Sequence, residues 1–163
     1  MIYTYFIKTP IGLMRAAERE GALTGLWFEG QKHYPNTDGW IEKESELFEA
    51  LRVWLERYFK GAAEDVTLPI SLEGTPFQRD VWRLLRQIPY AQSVTYAQIV
   101  NRLKREKNLF KMSARAVGSA IGRNPLSILV PCHRVLGKNN ALTGYAAGVD
   151  KKLFLLRLEG AEI

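Results

Sequence analysis

The chain changes character at Gly74, and that break limits what it can fold into. Residues 1–74 carry 8 Lys and Arg against 12 Asp and Glu, a net of −4; residues 75–163 carry 15 against 5, a net of +10. The pattern changes with the charge. Before the break, Ile2-Tyr3-Thr4-Tyr5-Phe6-Ile7 and Ala22 to Phe28 are rich in β-branched and aromatic residues, and the turn signals Thr9-Pro10-Ile11-Gly12 and Glu20-Gly21 divide the region. After it, helix signals dominate. A length of 163 residues suits one domain or two small ones. The break therefore predicts an α+β protein: a small N-terminal α/β domain, residues 1–73, and a mostly helical C-terminal domain, residues 74–163.

Within the first part, Glu29 to Gly39 reads as a polar loop. Glu42 to Tyr58 has helical periodicity, with Leu47, Leu51, Trp54, Leu55 and Tyr58 on one stripe and Gly61 at its end. Asp65 to Leu72 is expected to be a strand. In the second part Thr75, Pro76 and Gln78 make a capping box with proline at the first helical position. Phe77, Val81, Leu84, Leu85 and Ile88 form that helix's apolar face, and Pro89 stops it. A second helix is expected from Tyr96 to about Leu103. A basic connector with two apolar residues inside leads to a third, Ala114 to Ile121, capped by Ser113. Two such helices suggest a helix-turn-helix. A last helix, capped by Asp150, presents Leu153, Phe154, Leu156 and Leu158 and closes at Glu159-Gly160.

The third helix is unusual: Ala114-Arg115-Ala116-Val117-Gly118-Ser119-Ala120-Ile121-Gly122 is small at most positions. Glycine inside a helix costs about 1 kcal/mol against alanine. Close backbone approach would compensate, either to a neighbouring helix or to a nucleic-acid groove, with Arg115 as the one large projecting group. The +10 half favours a polyanionic partner.

Cys132 is the single cysteine. An internal disulfide and a four-cysteine zinc site are excluded. A reducing compartment is expected, hence a cytoplasmic protein, nucleoid-associated in a prokaryote. No apolar run approaches the length of a spanning helix, and the first ten residues lack the features of a secretory signal. Beside Cys132 stands His133, one of two histidines. A neighbouring imidazole can turn a thiol into the reactive thiolate.

Ile128-Leu129-Val130-Pro131-Cys132-His133-Arg134-Val135 resembles the active-site signature of the O6-alkylguanine-DNA alkyltransferases. Gly74-Thr75-Pro76-Phe77-Gln78-Arg79, Thr95-Tyr96, Ala114-Arg115-Ala116-Val117-Gly118, Asn124-Pro125, Thr143-Gly144-Tyr145 and Leu155 to Gly160 follow in the family's order. The resemblance covers residues 74–160 firmly and residues 1–73 in outline.

What the resemblance implies is specific. The fold would be an RNase H-like N-terminal domain, an antiparallel sheet plus helix, joined to a helix-turn-helix domain. The reaction would be DNA repair by irreversible single-turnover alkyl transfer from O6-alkylguanine, and also from O4-alkylthymine. Cys132 would be the acceptor, His133 the base acting through a water, and Glu159 the group orienting His133. Asn124 would tie the active-site turn to the preceding helix, and Tyr96 would donate to guanine N3. Pro131, Val135, Tyr145 and Ala146 would line the pocket, with the Cys132 and Val135 carbonyls accepting from the exocyclic amine. Ala114, Ala116, Gly118 and Ser119 would let the helix enter the narrow minor groove. Arg115 would fill the gap left by the flipped base, with Thr95 and Arg123 also against DNA. No cofactor and no metal are expected. The partner would be double-stranded DNA containing O6-alkylguanine, with no membrane, and the protein a monomer in solution, with cooperative binding on DNA left open.

Two departures stand out. The connector Arg102 to Met112 is longer than in many relatives, and its cations are expected to add phosphate contacts. Ala147 replaces a common glycine and is expected to narrow the pocket against bulky adducts. Three other readings compete. An alkyl-lesion binding module without catalysis does not suit Cys132 with His133 and Glu159. A transcription regulator with a metal-cysteine sensor does not suit a single cysteine. A cysteine hydrolase explains neither the basic half nor the small-residue helix.

Overall fold

The computed structural model describes residues 1–163. The chain divides into two compact units: Met1–Glu73 with Pro125–Ser127, and Gly74–Asn124 with Ile128–Ile163. The C-terminal half is thus not one contiguous unit, because three of its residues belong to the first.

In the first unit, strands β1 (Tyr3–Thr9), β2 (Gly12–Arg19) and β3 (Ala22–Phe28) form an antiparallel meander. The register runs from Tyr3 opposite Glu18 to Thr9 opposite Gly12, and a bulge between Ala17 and Glu18 shifts it toward β3. The three segments between the two turn signals are therefore strands, as their composition predicts. A two-residue strand, β4 (Ile41–Glu42), pairs parallel with β1 and completes the order β3-β2-β1-β4. Gly25 in β3 is required by its neighbour: a Cβ there would come within 1.8 Å of the Trp27 indole, which folds back over it.

Helix α1 (Glu46–Phe59) buries Phe48, Leu51, Leu55 and Tyr58, with Phe48 stacked on Tyr5 of β1 at 5.6 Å between ring centroids. It begins four residues later than periodicity predicts. Ile41 and Glu42 are spent on β1, and the Ser45 hydroxyl accepts from the Phe48 N–H and donates to Glu18. Leu47 and Trp54 are only half-buried; Phe48 takes the expected place of Leu47. Asp65 to Leu72 is not a strand. Only Ile70 bridges to Leu23, through bonds to the Pro69 carbonyl and the Ser71 N–H. Pro69 has no N–H with which to extend a ladder. The excursion Pro125–Ser127 bridges in the same way to Leu26.

The second unit is helical. Helix α2 (Pro76–Leu85) has the predicted capping box in full and buries Val81, Trp82, Leu84 and Leu85. Trp82 donates from Nε1 to the Ala120 carbonyl at 2.8 Å, and its ring leaves no room for a Cβ on Gly74. Helix α3 (Tyr96–Glu106) opens with a second capping box, Thr95 with Gln98, that sequence reading passes over. It runs three residues beyond the expected end, so Arg102, Lys104 and Arg105 are helical and the true connector starts at Lys107. Helix α4 (Ala114–Gly122) is capped by Ser113 as expected. Strands β5 (Val94–Thr95) and β6 (Val135–Leu136) pair in parallel.

Helix α5 (Val149–Glu159) corrects two expectations. Its N-cap is Gly148, at φ 106°, and Asp150 lies inside the first turn. Its buried side chains are Lys152, Leu155, Leu156 and Glu159, whereas Phe154 is 39% exposed. Two charges at the ends of a buried face break the apolar pattern that sequence reading relies on.

Candidate active site

Cys132 begins a single 3-10 turn, Cys132–Arg134, that leaves the buried run Leu126–Val130 and leads into β6. Ile128 in that run has φ 71°, a left-handed conformation that a β-branched residue adopts only when its surroundings impose it. The β5–β6 ladder joins this turn to the cap of α3, which sets Tyr96 at the start of that helix beside the cysteine.

The thiol is buried and held. Asn124 Nδ2 donates to Cys132 Sγ at 3.2 Å and to the Val130 carbonyl at 2.8 Å. Burial pushes the Cys132 pKa up, while the Asn124 hydrogen bond and the nearby Lys152 charge pull it down. The resting group is therefore a thiol that needs a base.

The imidazole of His133 is next in sequence. His133 is completely buried, and its Nε2 lies 2.7 Å from Glu159 Oε2. A carboxylate can only accept, so Nε2 carries the proton and Nδ1 holds the free lone pair. Nδ1 is buried and has no hydrogen-bond partner. Burial outweighs Glu159 and lowers the His133 pKa, so the ring is neutral at pH 7.

Glu159 is shared. Arg134 donates from Nε to Oε1 at 2.8 Å and from Nη2 to Oε2 at 3.0 Å, and from Nη1 to the Ile88 carbonyl at 2.7 Å. The Ala91 N–H adds a bond to Oε1 at 3.3 Å. Sequence reading assigns Arg134 no role, although it stands inside the signature octet. The second residue it misses is Lys152, fully buried two helical turns before Glu159. Lys152 Nζ donates to the carbonyls of Thr143 and Gly144 at 2.7 and 2.9 Å, and lies 5.8 Å from the Tyr96 ring centroid. Burial depresses its pKa to about 8. Its seven-residue spacing from Glu159 on one helix is the signal that could have found it.

The remaining expected residues are distributed as follows. Pro131 and Val135 are buried, and Tyr145 and Ala146 are half-buried. Gly144 at φ 55° lies against Tyr96, since a Cβ there would be 3.5 Å from the phenol oxygen. Burial raises the Tyr96 pKa, so the phenol remains a donor. The Cys132 carbonyl already accepts from the Val135 N–H. The Thr95 hydroxyl is engaged in its cap. Ala114, Arg115, Ala116, Ser119 and Arg123 are exposed, on or just beyond α4. A Cβ on Gly118 or Gly122 would meet nothing within 4 Å. Packing within the chain therefore does not explain Gly118 and Gly122, whereas Ala120 is buried against Trp82.

Known proteins are similar to this chain over nearly its whole length. Residues 76–161 match the family described as 6-O-methylguanine DNA methyltransferase, DNA binding domain, and residues 1–72 match its ribonuclease-like domain. The chain is 43% identical to a methylated-DNA–protein-cysteine methyltransferase of Methanosarcina acetivorans, over 99% of both sequences. It is 38% identical to one from Haemophilus influenzae, over 98% of this chain and 86% of the other. Among solved structures it is similar to Mycobacterium tuberculosis OGT in complex with DNA, with a TM-score of 0.86, 35% identity, and coverage of 96% of this chain and 92% of that one.

Proposed function

The chain belongs to the 6-O-methylguanine DNA methyltransferase family, and from that premise we propose how its own residues carry the family's reaction. That reaction is DNA repair, in which an alkyl group passes from alkylated DNA to a cysteine of the protein. Cys132 is the acceptor, because it is the single cysteine and lies in the site. The observation that carries the reading is the division of labour on His133: Nε2 is tied to Glu159, and Nδ1 is buried with its lone pair unused.

In the step itself His133 Nδ1 takes the thiol proton through a water. Sγ attacks the O6-alkyl carbon, an S–C bond forms, and the C–O bond breaks. The electron pair leaves with guanine, and Tyr96 offsets its charge by donating to N3. Asn124 steadies the thiolate, and Glu159 steadies the imidazolium. A thioether has no route back to thiol here, so each molecule acts once. The Cys132 and Val135 carbonyls, Pro131, Tyr145 and Ala146 receive the base. O4-alkylthymine fits the same chemistry.

Delivery of the base falls to α4. Ala114, Ala116, Gly118 and Ser119 keep the helix slim enough for a minor groove about 6 Å wide. Arg115 occupies the gap of the flipped nucleotide, with Arg123 on phosphate and the start of α3 at Thr95 against the same strand. The protein is a monomer in solution, in a reducing, cytoplasmic setting, with cooperative binding along DNA left open.

The test is intact mass after incubation with duplex DNA carrying O6-methylguanine. The wild-type chain gains one methyl, about 14 Da by atomic masses, and Cys132→Ala gains nothing. An unchanged wild-type mass would reject the reading.

A further inference from the structure

Phe110 is used by neither the fold nor the transfer chemistry. It is 95% exposed, the most exposed of the large apolar side chains, with Leu109 beside it at 46%. A ring left in water forgoes the burial that folding normally provides.

The ring is nevertheless on a short, anchored link. Helix α3 ends with Asn108 at φ 52°, its N–H bonded to the Arg105 carbonyl at 3.2 Å and the Leu109 N–H bonded to the Lys104 carbonyl at 2.9 Å. The Ser113 hydroxyl caps α4 through the Ala116 N–H at 3.1 Å. Only Phe110, Lys111 and Met112 lie between these anchors. Three links of chain reach about 10 Å at most, so Phe110 stays beside the first turn of α4, which carries Arg115.

Its surroundings are cationic. Lys107 pairs with Asp80 and Arg102 with Glu106, within the same unit. Lys104, Arg105 and Lys111 make no ion pair. We propose that Phe110 is a second DNA contact, an apolar wedge entering the minor groove beside α4 while Lys104, Arg105 and Lys111 take the flanking phosphates. The inference rests on α4 facing DNA. At about 3.4 Å per base pair, the wedge falls within about three base pairs of the step that receives Arg115.

Duplex DNA is the occupant that fits. One ring buries about 200 Å², far below the roughly 1,000 Å² of a specific protein interface. The cations around it would repel the same patch on a second copy. Minor-groove proteins use phenylalanine in this way, inserting it at base steps between phosphate rows.

The experiment compares Phe110→Ala, Phe110→Trp and Arg115→Ala for affinity to a duplex containing O6-methylguanine over a salt series. Transfer from the free O6-methylguanine base and sedimentation without DNA accompany it. Phe110→Ala is expected to bind roughly fivefold to twentyfold more weakly, the loss of one aromatic contact, with an unchanged salt slope. Its transfer from the free base stays at the wild-type rate, and Phe110→Trp binds within about twofold of wild type. Wild-type affinity in Phe110→Ala beside weak binding in Arg115→Ala overturns the wedge and leaves the reading of α4 intact. Wild-type affinity in both overturns that reading as well. A change in self-association without a change in DNA affinity assigns Phe110 to a second copy and overturns the proposal.

Discussion

Arg134 and Glu159 form a two-point ion pair, at 2.8 and 3.0 Å, on the same carboxylate that holds His133. The glutamate is fully buried and the Arg134 side chain is 11% exposed. Arg134 also reaches the Ile88 carbonyl, so it ties the carboxylate to the end of the α2 segment. The orientation of the His133 imidazole thus depends on a residue that does not touch the thiol.

Arg134→Met should therefore lose both stability and rate. Removing one partner of a buried pair costs about 3 kcal/mol or more, because the other charge is left uncompensated. A urea midpoint measures the first loss, and single-turnover transfer measures the second. Arg134→Lys should rescue little, since an ammonium cannot reproduce the two parallel bonds. A lysine variant with wild-type rate would refute the role.

His133 sets the acid limit of stability. Its folded pKa lies below the ordinary 6.5, because burial disfavours the imidazolium. Between the two values the unfolded chain holds a proton that the folded chain refuses. This contribution is present above pH 6.5 and is lost as pH falls toward the folded value. Urea midpoints from pH 7 to pH 5 should fall more steeply in the wild type than in His133→Gln. At pH 7 the glutamine variant should transfer roughly a hundredfold more slowly, the usual scale for losing a general base. Its rate should climb with pH more steeply than the wild type's, because a thiol whose pKa burial has raised must then ionise without a base.

Lys152 acts with the same sign at the alkaline end. Its pKa is about 8 in the folded chain against 10.5 in an exposed lysine. Folding therefore becomes more favourable as pH rises from 8 to 10.5, by about 3 kcal/mol at about 1.4 kcal/mol per unit. The wild type should gain this amount on Lys152→Met over that range, measured by denaturant titration of both chains. Parallel curves would show that the amine titrates as if in water.

Gly118→Ala separates packing from binding. A Cβ there meets nothing within 4 Å, so alanine should stabilise α4 by about 1 kcal/mol through helix propensity. The same methyl should weaken duplex binding, because it widens the face offered to the groove. A destabilised variant would instead place Gly118 against another part of the chain.

The parts of this molecule that sequence reveals are those decided locally. The meander of residues 3–28 follows from β-branched and aromatic runs between two tight turns, and α2 from Thr75, Pro76 and Gln78. The cluster of Cys132, His133, Glu159, Asn124 and Tyr96 is legible through resemblance alone, since nothing in spacing brings residue 159 to residue 133. Strand β4 escapes notice because two residues carry no periodicity. The register of α5 is misread because it buries Lys152 and Glu159, whose burial is tolerable only beside the Thr143 and Gly144 carbonyls and Arg134. Arg134 itself looks like a surface cation until Glu159 is placed beside it.

The excursion Pro125–Ser127 has a consequence for anyone who would divide the chain. The polypeptide passes between its two units three times, after Glu73, after Asn124 and after Ser127. No single cleavage yields two self-sufficient fragments. A piece starting at Gly74 would carry an orphan segment with its Leu26 bridge unmade, and a piece ending at Glu73 would leave that edge of β3 unpaired. Exchange of modules between relatives therefore requires two non-contiguous transplants, and Asn124, which grips the thiol, sits at one of the sutures.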